Sequence, residues 1–405
     1  MPSKNQELNR EKTANTSSEN SFPRVWAIFL LLLILATHRL WFASLFYPAI
    51  PLAGSAVPLP TLTLLLPSVF IVGSLLLIIA GKRRELWWLT TGWLVISFFA
   101  DQHRLQPWAY QSAIYGVVFA SMDWLRAKRV LIPLIASVYI YSAAGKFDYQ
   151  FAHTVGQDFL DSVTSVIGGL PDNISPENRA KLALLFPTVE LIAGIGILIP
   201  ATRKLAGGLV MMMHLGLVAI LGPWSLNHST GVLVWNLALF VQAYMLLVKN
   251  LEGTESKPTS PWYVRPMIGI AICLPMAERT GYWDHWLSWA LYAPHTSCVD
   301  VEIHELEADK LDTRMESLLG DSVDGWRRLS LSEMSLELRA VPVYPQSRYQ
   351  LGLAIAIAKK HGIDEGIRAN LRSVSHRSSG KRSSKLLLGR ADLETEMQRR
   401  YWLSH

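Results

Sequence analysis

Glu190 and His214 are ionisable side chains inside otherwise apolar runs, FPTVELIAGIGIL and GGLVMMMHLGLVAIL, in a chain of 405 residues. A charged group deep in a bilayer costs at least ~2.5 kcal/mol, so its presence there points to function. The two runs are consecutive and antiparallel, which lets mid-run residues meet at one depth. A Glu–His pair would offset the desolvation of both partners and could move a proton. Lys146, closing the run that ends YIYSAAGKF, is the third candidate catalytic residue. A lysine in a partly apolar pocket can act as a base. Further polar groups fall on the same side as Lys146: Asp101, His103 and Arg104 in ADQHRLQPW, Gln111 just beyond, Asn227 and His228 in PWSLNHS, and Asn236 one turn into the next run. As ligand-binding positions they suit an amphiphile arriving from the lipid. Their plainer reading is anchoring, capping and interhelical hydrogen bonding worth about 0.6 kcal/mol, with Lys146 snorkelling at a boundary. No metal-ligand spacing joins His103, His214 and His228, so no metal site is expected. Met211, Met212 and Met213 read as packing.

The elements that must position these groups are apolar helices. Half of the residues are apolar and 17% are charged, against ~25% charged in ordinary soluble domains. Nine runs approach the ~20 residues that cross a bilayer core: about 25–41, 62–80, 86–100, 108–121, 130–145, 182–199, 205–221, 232–248 and 266–277. The first has no convincing cleavage site and reads as a retained anchor. Loops on one side of these runs collect fifteen Lys and Arg, and those on the other side four. This asymmetry places the N-terminus in the cytoplasm and the 147–181 connection outside. The net charge of +6 therefore speaks of topology, and nucleic acid is not an expected partner. Two cysteines with no C-x-x-C pair exclude a disulfide framework and a thiol relay. The ninth run, PMIGIAICLPMA, is short and carries Pro266 and Pro275. It either spans, which puts the C-terminal segment outside, or re-enters, which returns that segment to the cytoplasm.

Residues 1–24 read as a disordered cytoplasmic tail and 25–294 as the transmembrane domain. That domain ends in GYWDHWLSWALYAP, whose tryptophans recur every three residues as in a headgroup-layer helix. From 295 to 372 the pattern is that of a small soluble α+β unit. Val299, Val301 and Ile303 alternate with polar residues as in a half-buried strand. Leu311, Met315, Leu318 and Leu319 have helical spacing, and a second helix is expected from Pro345 to near Gly362. Residues 373–405, opening with SVSHRSSGKRSSK, read as a solvated basic tail. The expected fold class is thus an all-α polytopic membrane helix bundle of about nine transmembrane helices with a small C-terminal α+β domain.

At VLIPLIASVYIYSAAGKFDYQF, LLFPTVELIAGIGILIPATRKLAGGLVMMMHLGLVAILG and DQHRLQPWAYQSAIYGVVFASMDW the chain resembles the horizontally transferred transmembrane domain (HTTM) family, which includes the vitamin K-dependent gamma-carboxylase. The resemblance spans about residues 25–294. It implies a multi-pass protein of the plasma or inner membrane with an outward pocket for a quinone-like lipid, carboxylase-like or oxidoreductase-like in chemistry. Lys146 would then be the base, with His214 and Glu190 orienting the ligand or relaying protons. The short C-terminal unit departs from the carboxylase's large lumenal domain, which speaks against carboxylation of protein glutamates. A weaker similarity, to DoxX-like and MauE-like membrane proteins, implies a non-catalytic scaffold for an extracytoplasmic redox partner.

Overall fold

The computed structural model describes residues 21–42, 47–52, 61–81, 83–249, 261–281 and 283–399. The expected N-terminal tail lies outside the described residues up to position 20, and 21–24 already form the first turn of α1 (Ser21–Ala36). A single turn, α2 (His38–Trp41), follows, then α3 (Thr61–Ile79) and α4 (Leu86–Ala100). A 3-10 turn at Gln102–Arg104 leads into α5 (Pro107–Ser121), which starts with proline where no amide donor is needed. Asp123 caps α6 (Trp124–Lys146) by accepting from the Arg126 amide. Next come α7 (Tyr149–His153), α8 (Val155–Ser165), α9 (Pro176–Ala183), α10 (Leu185–Leu198), α11 (Arg203–Leu221) and α12 (Thr230–Ala243), the last prolonged by a π-turn to Val248. α13 (Val264–Cys273) continues as a 3-10 helix through Thr280.

Among the described residues, five stretches are long and apolar enough to cross a membrane: 62–79, 124–146, 176–198, 203–221 and 230–248. Their neighbours α1 and α4 are apolar but shorter. The expectation of nine such runs is therefore met for five, and the shortfall has visible causes. α5 is only fifteen residues long and is buried almost all round by other helices. The ninth run is broken at Leu274–Pro275, where the α-helix tightens to 3-10. On α3, α4 and α10, Val69, Phe70, Val95, Ile96, Phe99 and Ile192 point outward, an apolar surface compatible with lipid rather than water.

GYWDHWLSWALYAP is not the expected interfacial helix. Residues 283–294 form a chain of turns in which Trp289 and Tyr292 adopt positive φ (59° and 53°). Its polar groups face inward partners: Asp284 accepts from Tyr344 (2.7 Å) and pairs with Arg348, and Trp289 is fully buried.

The C-terminal unit is an antiparallel sheet of order β2-β3-β1-β4-β5. Its strands are β1 (Cys298–His304), β2 (Leu319–Val323), β3 (Trp326–Leu329), β4 (Ile367–Arg372) and β5 (Ser384–Leu388). β1 alternates as expected, with Val299, Val301 and Ile303 inside. The second expected helix is α16 (Ser347–His361), stopped by Gly362 in the left-handed region. Two expectations fail. The helix over 311–319 is one turn only, α14 (Thr313–Glu316), because Leu319 is drawn into β2. The basic tail is a loop only to residue 383. Beyond it β5 pairs with β4, and α17 (Gly389–Gln398) buries Leu393.

This unit meets the bundle at several points, among them Tyr349, whose hydroxyl lies 3.2 Å from that of Tyr47, the Gly380 carbonyl, which accepts from Gln150 at 2.9 Å, and α15 (Leu331–Arg339). Arg339 donates to Asp101 (2.9 Å) and to the carbonyls of Leu40 (3.2 Å) and Tyr47 (3.3 Å). Beside it His103 Nε2 meets the Pro342 carbonyl at 3.0 Å. Burial first, then the Arg339 cation, pushes the His103 imidazole down to about 4. An unfolded histidine protonates near ~6.5. This group's contribution is therefore complete above that pH and is lost as pH falls from there through the folded value, by about 2 kcal/mol at pH 5. Melting curves at pH 7 and pH 5 should show the loss in the native protein and a smaller one in His103→Gln. An equal loss in both would refute the assignment.

Candidate functional site

The site is built on α6. Tyr139, Ser142 and Lys146 are spaced three and four residues apart, which puts them on one helical face. That face is covered by α10, which packs along α6. The approach is close because position 194 is glycine: a Cβ there would lie 2.9 Å from Ile140 Cγ1 and 3.1 Å from the Ile140 nitrogen. One turn earlier on the same helix is Glu190, and the contact at Gly194 brings its carboxylate to the lysine. Lys146 Nζ donates to Glu190 Oε2 at 2.7 Å and to Ser142 Oγ at 2.6 Å. Lys146 is 6% exposed and Glu190 8%, so the lysine is buried and does not snorkel.

His214 on α11 takes different partners from those expected. Its Nε2 is 2.9 Å from the Tyr139 hydroxyl and its Nδ1 2.9 Å from Asn236 Oδ1 on α12. Asn236 Nδ2 donates to the Val232 carbonyl (2.9 Å), which fixes the amide with its oxygen toward the histidine. With one ring proton, His214 must then donate from Nδ1 and accept from Tyr139 at Nε2. The expected Glu190–His214 pair is thereby corrected to two separate couples, Glu190 with Lys146 and His214 with Asn236. The reason is electrostatic. In a low-dielectric bundle a carboxylate gains most from a full cation, and Lys146 is within its reach.

Both couples lie on the wall of one cavity of about 390 Å³, within the ~300–1,000 Å³ common for small-molecule sites. The remaining wall is apolar, with Phe151, Phe159, Leu209 and Leu239 prominent. Leu185 and Val163 stand at the rim and are 57% and 44% exposed, so the opening has an apolar lip. Leu291 and Tyr292, from the turn segment, close another side. Chemically the cavity offers a buried ion pair able to share a proton, a directional hydrogen-bond chain ending on a tyrosine, and a greasy vestibule.

Of the other expected ligand-binding residues, only Asn236 lines this space. Asp101 and His103 hold the C-terminal unit, and Arg104 is spent on the carbonyls of Leu64 (2.8 Å) and Trp41 (3.1 Å). Gln111 bridges helices, donating to Gln242 Oε1 (3.1 Å) and accepting from Trp235 Nε1 (3.1 Å). Asn227 is exposed at positive φ in a turn. His228 sits one ring away, packing edge-on against Tyr292 at 5.8 Å. His103, His214 and His228 share no partner among the described residues.

Tyr139, Ser142 and Tyr292 escaped the sequence reading. The first two were legible as the same face as Lys146, but nothing local marks Tyr292. Equally hidden was a buried group from the chain after α13: Glu278, His285 and His295, whose donor atoms lie within 4.8 Å of one another. Both imidazoles address the same oxygen, Glu278 Oε1, that of His295 at 2.8 Å. The Ser297 amide donates to His285 Nε2 (3.3 Å), which leaves the ring proton of a neutral imidazole on Nδ1, facing the carboxylate. The group therefore reads as a carboxylate clamped by histidine donors that ties the turn segment down, with His295 Nδ1 buried and without a hydrogen-bond partner among the described residues.

No family model matches the chain, and no curated protein or solved structure shows significant similarity to it.

Proposed function

We propose that the chain is a multi-pass membrane protein whose cavity receives a lipid-soluble, quinone-like ligand and exchanges a proton with it. The observation that carries this reading is the burial of the Lys146–Glu190 pair on the wall of an apolar cavity that is also lined by an oriented Tyr139–His214–Asn236 chain. If the ammonium passes a proton to the Glu190 carboxylate, the Nζ lone pair is freed, and Lys146 can then take the proton of a quinol or similar hydroxyl. His214 and Tyr139 would hold the opposite oxygen. The HTTM-like resemblance agrees with such chemistry.

In the proposed topology the N-terminus is cytoplasmic and the cavity and C-terminal unit face outward. Two contacts support a ninth crossing. Tyr263 meets Ser121, at the far end of α5 from Asp101, and Arg279 meets Asp148, just past Lys146. From Tyr263 to Arg279, ten α and six 3-10 residues rise roughly 27 Å, close to the ~30 Å of a bilayer core.

A second reading, a scaffold in the manner of DoxX-like proteins, draws on the fact that each polar group of the site already has a protein partner. Lipid extraction of the purified protein, with mass spectrometry for a bound quinone, separates the two. A bound quinone is expected in the native protein, falling at least tenfold in Lys146→Ala and His214→Ala. Equal occupancy in the variants, or none in the native protein, rejects the quinone assignment.

A further inference from the structure

At the opposite end of the bundle from Lys146, four elements converge on a second cavity of about 240 Å³. They are the start of α1, the turn between α3 and α4, the end of α5 and the start of α6. Its wall carries three guanidinium groups, Arg24, Arg83 and Arg84, beside Trp87 and Trp124. Cations in short loops usually do no more than face water, so what matters is how these are held. Arg24 is seated against Gly81, where a Cβ would come within 2.5 Å of its Nη2; that glycine also has φ +80°. A side chain at position 81 would push that guanidinium aside. Arg24 has no hydrogen-bond or ion-pair partner among the described residues. The nearest carboxylate to Arg84 is the exposed Glu85, 4.0 Å away. Asp123 also lines the cavity, but its charge is already committed, to the α6 amide it caps and to Arg126 at 3.1 Å. On the same wall Trp124 is 3% exposed. With Asp123 committed elsewhere and Arg24 unpartnered, a ligand group of negative charge would complete the cavity.

We propose that this cavity binds the phosphodiester headgroup of an anionic phospholipid. The phosphate oxygens take the arginine donors, and the glycerol lies on Ile78, Phe119 and Met122. A lipid is favoured over a soluble phosphate because half of the wall is apolar and the cavity lies where apolar helices end at basic turns, the depth of a headgroup layer. The inference rests on the membrane reading of the bundle and not on the chemistry of the Lys146 cavity.

Native mass spectrometry of the full chain, released from nanodiscs of equal phosphatidylglycerol and phosphatidylcholine, tests it. The native protein should carry phosphatidylglycerol in at least tenfold excess. Arg24→Gln and Arg83→Gln should each reduce that excess at least fivefold. Arg24→Lys should keep most of it, and Lys204→Gln, an exposed cation outside the cavity, all of it. An unchanged excess in Arg24→Gln, or an equal loss in Lys204→Gln, overturns the site. Displacement of the lipid by 10 mM inorganic phosphate overturns the assignment to a lipid.

Discussion

Lys146→Met should cost the folded protein about 3–5 kcal/mol, the usual consequence of removing one partner from a buried ion pair. Glu190 Oε2 and Ser142 Oγ would both lose the donor they now face, at 2.7 and 2.6 Å, in a place water cannot freely fill. Glu190→Leu should be damaging for the mirror reason, since it strands the ammonium. The double variant Lys146→Met/Glu190→Leu should recover most of the loss, because an apolar pair of similar volume suits a low-dielectric interface between α6 and α10 as well as an ion pair does. A double-mutant cycle on unfolding free energies measures the coupling. The same three proteins probe function, because the double variant restores folding without restoring a base. If it also restores quinone occupancy, the pair is interhelical glue. If the single variants unfold like the native protein, the pair is not buried as described.

Arg339→Ala should detach the C-terminal unit. The side chain is 2% exposed and its partner Asp101 1%, and it also satisfies two carbonyls on the bundle, those of Leu40 and Tyr47. Its loss leaves a buried carboxylate and two buried acceptors unpaired, for which about 3–5 kcal/mol is expected. The sheet should survive, because β1 is hydrogen-bonded to both β3 and β4. Hydrogen exchange should therefore rise in α2, the Gln102–Arg104 turn and α15 while β1 and β4 stay protected. Uniform protection like that of the native protein would show that docking does not depend on this residue. Arg339→Lys should recover only part of the effect, since an ammonium cannot reproduce the fork that reaches the carboxylate and both carbonyls.

How far the residues alone reach is seen by comparing these two sites. Lys146, Glu190 and His214 were legible because an ionisable side chain in an apolar run is costly anywhere in the bundle, whatever lies beside it. Tyr139 and Ser142 could have been added from helical periodicity. The partner of each was not legible. Periodicity gives the face of a helix but not the depth at which its neighbour stands, and here one glycine, Gly194, sets how α10 meets α6. Asp101 and His103 were noticed for the right reason, being polar groups beside an apolar run, and given the wrong role. Their partners Arg339 and Pro342 lie more than 200 positions away, and nothing local connects them.

By itself the sequence determined the apolar helices, the alternating strand β1 and the stop at Gly362, all consequences of local composition and backbone preference. Only the tertiary structure decided that Glu190 belongs to Lys146 and His214 to Asn236. It also decided that the tryptophan-rich turn folds inward over the cavity and that the expected basic tail returns as an edge strand. Each of these depends on which surfaces meet across long stretches of chain, and pairing energy between distant groups leaves no period in the residues that supply it.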